Sequence, residues 1–185
     1  MPGAPISNVG ALVARCCHLY ADHLAVTSAS KSLSYAALEQ RSNRLANALL
    51  AQGLQRGDRV GIYLPNCTEI VEIELACYKA GLVKAPFNAR LSPREVIEIA
   101  DNSDAALIVT TAERAESFRA QLRNPQVRLM LLGDNENNSY ERLLEKASDQ
   151  FSAVSVHEHE VAVLHYTSGS SGTLKAAMQT FGNRL

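Results

Sequence analysis

The chain has 185 residues, 46% of them hydrophobic, and a formal net charge of −1, enough to bury a core in one domain or two small lobes. Charges of both signs are spread along its length, which predicts no face for nucleic acid and no polybasic membrane anchor, and favours small-molecule partners. The apolar patch near Val9 to Val13 is broken at Arg15 and has no charged segment before it. That argues against a secretory signal or an integral membrane segment, and makes the cytoplasm the expected compartment. Cys16, Cys17, Cys67 and Cys77 contain no Cys-x-x-Cys pair and read as buried or inert reduced thiols rather than a metal site.

Strands and helices alternate from the first third of the chain onward. Leu24 to Thr27 and Ser32 to Ser34 read as short strands around a turn. Ser34 can cap a helix with Leu38, Leu45 and Leu49 on one face, ending at Gly53, because a serine oxygen satisfies a free N–H of the first turn and glycine tolerates the conformation that follows a helix. Arg59 to Leu64 is a strand, about Thr68 to Lys79 a helix closed by Gly81, and Leu82 to Phe87 a strand. Ser92-Pro93-Arg94-Glu95 is the clearest helix start in the chain, with Ser92 and Glu95 forming a capping box and Pro93 at the first helical position. Ala105 to Val109 and Val127 to Leu132 read as buried strands on either side of a helical pattern over Ala112 to Leu122. Gly133 to Ser139 is a polar loop, Tyr140 to Lys146 a short helix, and Asp149 to Glu160 a surface connection. This order predicts an α/β fold: a doubly wound, mostly parallel sheet with helices on both faces. Lys79 and Lys84 are expected to be solvated, and Glu72 and Glu74, two apart on a helix, to lie on different faces. His165 reads as a packed residue rather than a base. No carboxylate pair, metal cluster or nucleophile triad stands out, and no catalytic residue is assignable.

The most informative stretch comes last. Val161 to Leu164 is an unbroken apolar run, as expected of a parallel strand buried on both faces. It runs into Thr167-Ser168-Gly169-Ser170-Ser171-Gly172-Thr173-Leu174-Lys175, which is expected to leave the strand as a loop. Gly169 and Gly172 let a backbone approach a ligand closely, five hydroxyls sit among N–H groups able to donate to phosphate oxygens, and Lys175 adds a flexible positive charge. Ser-Gly-Ser-Ser-Gly is also linker-like, but linkers lie at ends or between domains, and here a strand precedes the loop and the ordered-looking Ala176 to Phe181 follows it. The spacing fails the Walker A pattern, since Leu174 stands five positions after Gly169 and Ala176 follows Lys175. It also fails the serine-hydrolase elbow. Ligands on doubly wound sheets bind beyond the carboxyl ends of the strands, where this loop would sit.

The run Tyr166 to Lys175 resembles the phosphate-binding signature of the adenylate-forming, AMP-binding superfamily: acyl-CoA synthetases, luciferases and the adenylation domains of nonribosomal peptide synthetases. It departs from the usual pattern at Leu174, where proline is common, at Ala176, where glycine is common, and at Phe181 in Thr180-Phe181-Gly182-Asn183, where the family typically has histidine. Leu33-Ser34-Tyr35-Ala36-Ala37-Leu38, Gly57 to Asn66 and Tyr78 to Asn88 resemble further elements of the family in the expected order. The continuation Arg90 to Glu95 is similar to acyl-CoA synthetases rather than amino-acid-activating domains. The likeness covers about Leu24 to Leu185.

The resemblance implies a complete enzyme that uses ATP and Mg²⁺ to turn a carboxylic acid into an acyl-adenylate and then passes the acyl group to a thiol, coenzyme A in an acyl-CoA synthetase. By that likeness Thr167, Ser168, Gly169, Ser170, Ser171, Gly172 and Thr173 would hold the β- and γ-phosphates. Lys175 would pair with the γ-phosphate, and Thr167 would place a hydroxyl near Mg²⁺. It further implies that residues 1–185 are the amino-terminal α/β part of an AMP-binding domain, truncated after the phosphate loop, without the adenine, acyl and thiol sites. The alternatives are an adenylation domain that loads a carrier protein, a non-catalytic nucleotide-binding module, and a kinase-like NTPase with an irregular glycine loop.

Overall fold

The computed structural model describes residues 9–29, 31–133, 139–168 and 174–185. In chain order these form α1 (Val9–Leu19), β1 (Leu24–Thr27), β2 (Ser32–Ser34), α2 (Tyr35–Ala51), β3 (Arg59–Tyr63), α3 (Glu69–Ala80), β4 (Val83–Pro86) and α4 (Pro93–Asn102). There follow β5 (Ala105–Thr111), α5 (Ala112–Phe118) with a 3₁₀ turn after it, β6 (Arg128–Leu132), α6 (Tyr140–Lys146), β7 (Val161–Ser168) and β8 (Leu174–Thr180).

Local chemistry starts several of these elements where the sequence places them. Ser34 Oγ accepts from the Ala37 N–H at 3.2 Å. At Ser92 both halves of the capping box form, with the Ser92 N–H donating to Glu95 Oε2 at 2.8 Å and Pro93 next in line. Gly81 ends α3 in the left-handed conformation, φ 67° and ψ 26°. A side chain there would be strained and would also meet Val154 Cγ2 at 2.8 Å, so two constraints select glycine at one position.

The strands assemble in the order β6-β5-β3-β4-β7-β8. The first five are mutually parallel and β8 returns antiparallel to β7. Along β3 the faces alternate as a strand requires. Val60 and Ile62 join a core with Leu45 and Leu49 of α2, Ile73 and Ala76 of α3 and Leu144 of α6. Tyr63 faces the other way, with Val96 and Ile99 of α4 and Phe118 of α5. Gly61 shares that second face, and a glycine is needed there because a Cβ would stand 2.9 Å from the Phe87 ring. Fully burying one leucine or isoleucine is worth roughly 1.5–3 kcal/mol, so helices covering both faces are what stabilise a parallel sheet. A third cluster joins Val9 of α1, Leu38 of α2, Leu75 and Tyr78 of α3 to Ala162 and Val163 of β7 and to Phe181. The doubly wound α/β expectation holds.

Several local expectations need correction. The patch from Val9 is the start of an 11-residue helix. The strand at Val161 does not stop at Leu164 but continues to Ser168, because β8 offers it an antiparallel partner. Ala162 and Val163 are fully buried there, while Val161 and Leu164 are half-buried. The connection over 149–160 is not all surface, since Val154 and Val156 pack into the third cluster. Lys79 and Lys84 are buried, not solvated. Lys79, 1% exposed, donates to Glu39 Oε2 at 2.7 Å, Ser42 Oγ at 2.8 Å and Asn43 Oδ1 at 2.7 Å, which satisfies all three ammonium protons. Lys84 pairs with Glu74 at 2.5 Å. Glu72 and Glu74 do diverge, for Glu72, 0% exposed, accepts from Arg41, Lys31 and the Tyr140 hydroxyl at 2.7, 3.2 and 2.8 Å. Buried charges persist only when paired and hydrogen-bonded in this way.

Candidate phosphate-binding hairpin

The site is built on the hairpin of β7 and β8. Thr167 and Lys175 are direct partners across its antiparallel ladder, as are Ser168 and Leu174, so the first hydroxyl and the lysine assigned from sequence emerge side by side on one face. Both are exposed. Among the described residues Lys175 pairs with no carboxylate, leaving its charge available to an anion. Gly169, Ser170, Ser171, Gly172 and Thr173 lie outside the described residues. His165 is half-buried on β7 opposite Ala177.

Topology puts this hairpin where ligands gather on such sheets. From β4 the chain crosses back over β3 to β5, whereas from β7 it moves outward to β8. The connections leaving two neighbouring strands therefore diverge, the condition for a crevice beyond their carboxyl ends. At the same end of the sheet, next to β3 and β4, a cavity of about 560 Å³ is lined by residues including Leu64, Asn66, Phe87, Asn88 and Arg90. Its lining comes mostly from Gly57 to Asn66 and Tyr78 to Arg90, segments that stand out in the sequence, but that they meet around one cavity is decided by tertiary strand pairing.

The base of the hairpin is clasped. Phe181, 1% exposed, stands edge-on to the Tyr78 ring with centroids 6.2 Å apart. Its N–H donates to the Glu160 carbonyl at 2.9 Å, and Gly182 N–H to the Glu158 carbonyl at 2.8 Å. The Glu160 carboxylate accepts from the Arg56 guanidinium and its pKa is lowered, first by Arg56 and then by the His157 N–H. Thr180 and Asn183 bond each other: Asn183 Oδ1 accepts from the Thr180 N–H at 3.0 Å, and Asn183 N–H donates to Thr180 Oγ1 at 3.3 Å. The Thr-Phe-Gly-Asn segment thus closes a turn after β8, a role not apparent from its residues alone. Beside Phe181, burial pushes the Glu74 carboxyl up, but the Lys84 ammonium and the Tyr78 hydroxyl outweigh it and hold the pKa below the usual range.

Among the described residues no cluster of three or more His, Cys, Asp or Glu could hold a metal ion. A lone threonine hydroxyl is a weak Mg²⁺ ligand, so these residues by themselves do not fit a protein-held Mg²⁺. The cysteines are free, and burial pushes the Cys17 and Cys77 thiols up to about 12, far from the thiolate that reactivity needs. No helix among the described residues is long and apolar enough to cross a membrane.

Comparison with known proteins adds four findings. The family model described as "AMP-binding enzyme" matches residues 13–185. A feruloyl-CoA synthase from Amycolatopsis is 37% identical over 159 residues, which is 86% of this chain but 30% of that relative. An L-proline–[L-prolyl-carrier protein] ligase from Pseudomonas fluorescens is 31% identical over 90% of this chain and 33% of its own. Among solved structures, ATP-bound MatB from Rhodopseudomonas palustris superposes with a TM-score of 0.81 at 29% identity, covering 94% of this chain and 35% of that one. The chain therefore spans about a third of the length of the relatives it matches.

Proposed function

Because this chain belongs to the AMP-binding enzyme family, we propose that it forms the amino-terminal α/β part of an ATP-dependent acid–thiol ligase and carries that enzyme's polyphosphate grip. The complete protein joins a carboxylic acid to the AMP moiety of ATP, releasing pyrophosphate, and passes the acyl group to coenzyme A, releasing AMP. The observation that carries this reading is the pairing of Thr167 with Lys175 across the exposed end of a hairpin set on a parallel sheet.

Carboxylate attack on the α-phosphorus brings two anions together and creates a pyrophosphate leaving group. Catalysis therefore depends on orientation and on positive charge placed where negative charge develops. Lys175 supplies the charge, directed at the γ-phosphate. Thr167, Ser168 and the segment Gly169, Ser170, Ser171, Gly172 and Thr173 supply hydroxyl and backbone donors to the β- and γ-phosphates. Mg²⁺ carried with the nucleotide would offset charge on the phosphates, with the Thr167 hydroxyl near it. The adenine, acyl and thiol sites would come from residues beyond this chain, and a cytoplasmic location fits substrates of this kind.

The nucleotide product tests the reading. Acid-dependent formation of AMP and pyrophosphate by the complete protein supports it, whereas ADP and phosphate would assign a kinase-like NTPase. Thioester formed on coenzyme A supports the acceptor proposed here. Thioester formed only on a carrier protein would move the chain to the carrier-loading reading, which the 31% identity to a prolyl-carrier ligase keeps in view.

A further inference from the structure

The hairpin that bears Thr167 and Lys175 runs beside β4, where among the described residues its register pair is Lys84 with Val163, against four register pairs between β3 and β4. Thr167 lies four residues past that contact, roughly 13 Å along an extended strand. The ladder and the Phe181 clasp fix the base of this arm, and side-chain contacts farther along it bear on the direction of its outer part.

One such contact is on the opposite face. Tyr166, between His165 and Thr167 on β7, donates its hydroxyl to Asn102 Oδ1 at 2.9 Å. Successive side chains on a strand point to opposite faces, so Tyr166 reaches toward α4 while Thr167 and its partner Lys175 face away from it. Leu164 and Tyr166 accordingly pack with the α4 side of the core. Asn102 is itself well anchored. It is the last residue of α4, and the turn after it is tied to β3 by Arg59, whose guanidinium donates to the Ser103 carbonyl at 2.8 Å and the Asp104 carbonyl at 2.7 Å. Asp104 holds φ 50°, outside the usual range for a residue with a side chain, and these bonds fix the turn in that conformation.

We infer that Asn102 is a positioning residue for the nucleotide: through Tyr166 it sets the tilt of the hairpin and so the place of Thr167 and Lys175. Resting on the proposed nucleotide-binding reading, this inference adds to it a residue remote from the loop and outside every motif in the sequence. Asn102 touches no substrate; it acts on one end of a lever whose other end does.

The test is ATP affinity measured by calorimetry on the complete protein, for Asn102→Ala, Tyr166→Phe and the double variant, with the KM for the carboxylic acid and the Tm followed in parallel. One net hydrogen bond corresponds to about a 3- to 10-fold change in an equilibrium, so each single variant should weaken ATP binding by about that factor. The double variant should be no weaker than either single one, since both remove the same bond, and the KM for the acid should not move. Additive losses, equal losses for ATP and acid, or a lowered Tm with unchanged ATP affinity would each overturn the inference. A parent protein that binds no ATP would overturn the nucleotide reading itself and this inference with it.

Discussion

Lys175 and Thr167 project from the same face of the β7–β8 hairpin, and only the lysine carries a charge that can meet a polyphosphate. Replacing Lys175 by alanine in the complete enzyme should slow adenylation by about 10²-fold or more, the scale of loss when one electrostatic stabiliser of a transition state is removed. Transfer from a preformed acyl-adenylate to the thiol should suffer less, because the pyrophosphate has already left; single-turnover measurement of each half-reaction separates the two. Equal loss in both steps would make Lys175 a structural residue. Glu72 has the opposite character, being buried with no place in the site. Glu72→Ala should cost about 3 kcal/mol or more, because it leaves the buried Tyr140 hydroxyl without its acceptor and strips a carboxylate from Arg41 and Lys31. A urea midpoint unchanged from the parent would contradict the buried-network account.

The Glu74–Lys84 pair joins α3 to β4 under the hairpin, and its acid behaviour can be predicted in sign. The folded Glu74 pKa lies below its usual value, so the unfolded chain binds the proton more readily. The pair's contribution is then fully present above the unfolded carboxylate pKa of about 4.3 and is lost as pH falls through the lower folded value. Lys84→Met should flatten this part of the acid limb in urea unfolding followed from pH 6 down to pH 3; an unaltered pH dependence would sink the assignment. This pair also marks where sequence reading stops. The capping box at Ser92 and the turn at Gly81 are local chemistry and stand in the structure where the residues suggested. Lys79 and Lys84 read as solvated in the sequence but are buried, because the groups that make their burial tolerable, Glu39 and Glu74, come from elsewhere in the chain, and nothing in a lone lysine announces a partner. The extension of β7 through Thr167 and Ser168 has a similar cause: hydroxyl residues are neutral between loop and strand, and the ladder to β8 decides. α1 rests on contacts with α2 and α3, tertiary partners that its own residues do not announce.

A mostly parallel sheet with helices on both faces follows from alternating apolar segments, whereas the strand order β6-β5-β3-β4-β7-β8 does not, and the chain superposes on ATP-bound MatB with a TM-score of 0.81. The hairpin's place in that frame depends on pairings at long range, Lys84 with Val163 and Phe181 with Tyr78, which no single segment reveals. A phosphate grip alone cannot hold an acid and a nucleotide together. Residues 1–185 by themselves should therefore form no acyl-adenylate, and ATP–pyrophosphate exchange by that fragment would contradict the proposed division of the site. Adenylation of a carboxylic acid by the complete protein is tested by ATP–pyrophosphate exchange measured across a panel of fatty and aromatic acids. Exchange should require both ATP and an acid from the panel and fall by about 10²-fold or more in Lys175→Ala; ATP binding without exchange for any acid would exclude acid activation and leave a non-catalytic nucleotide-binding module.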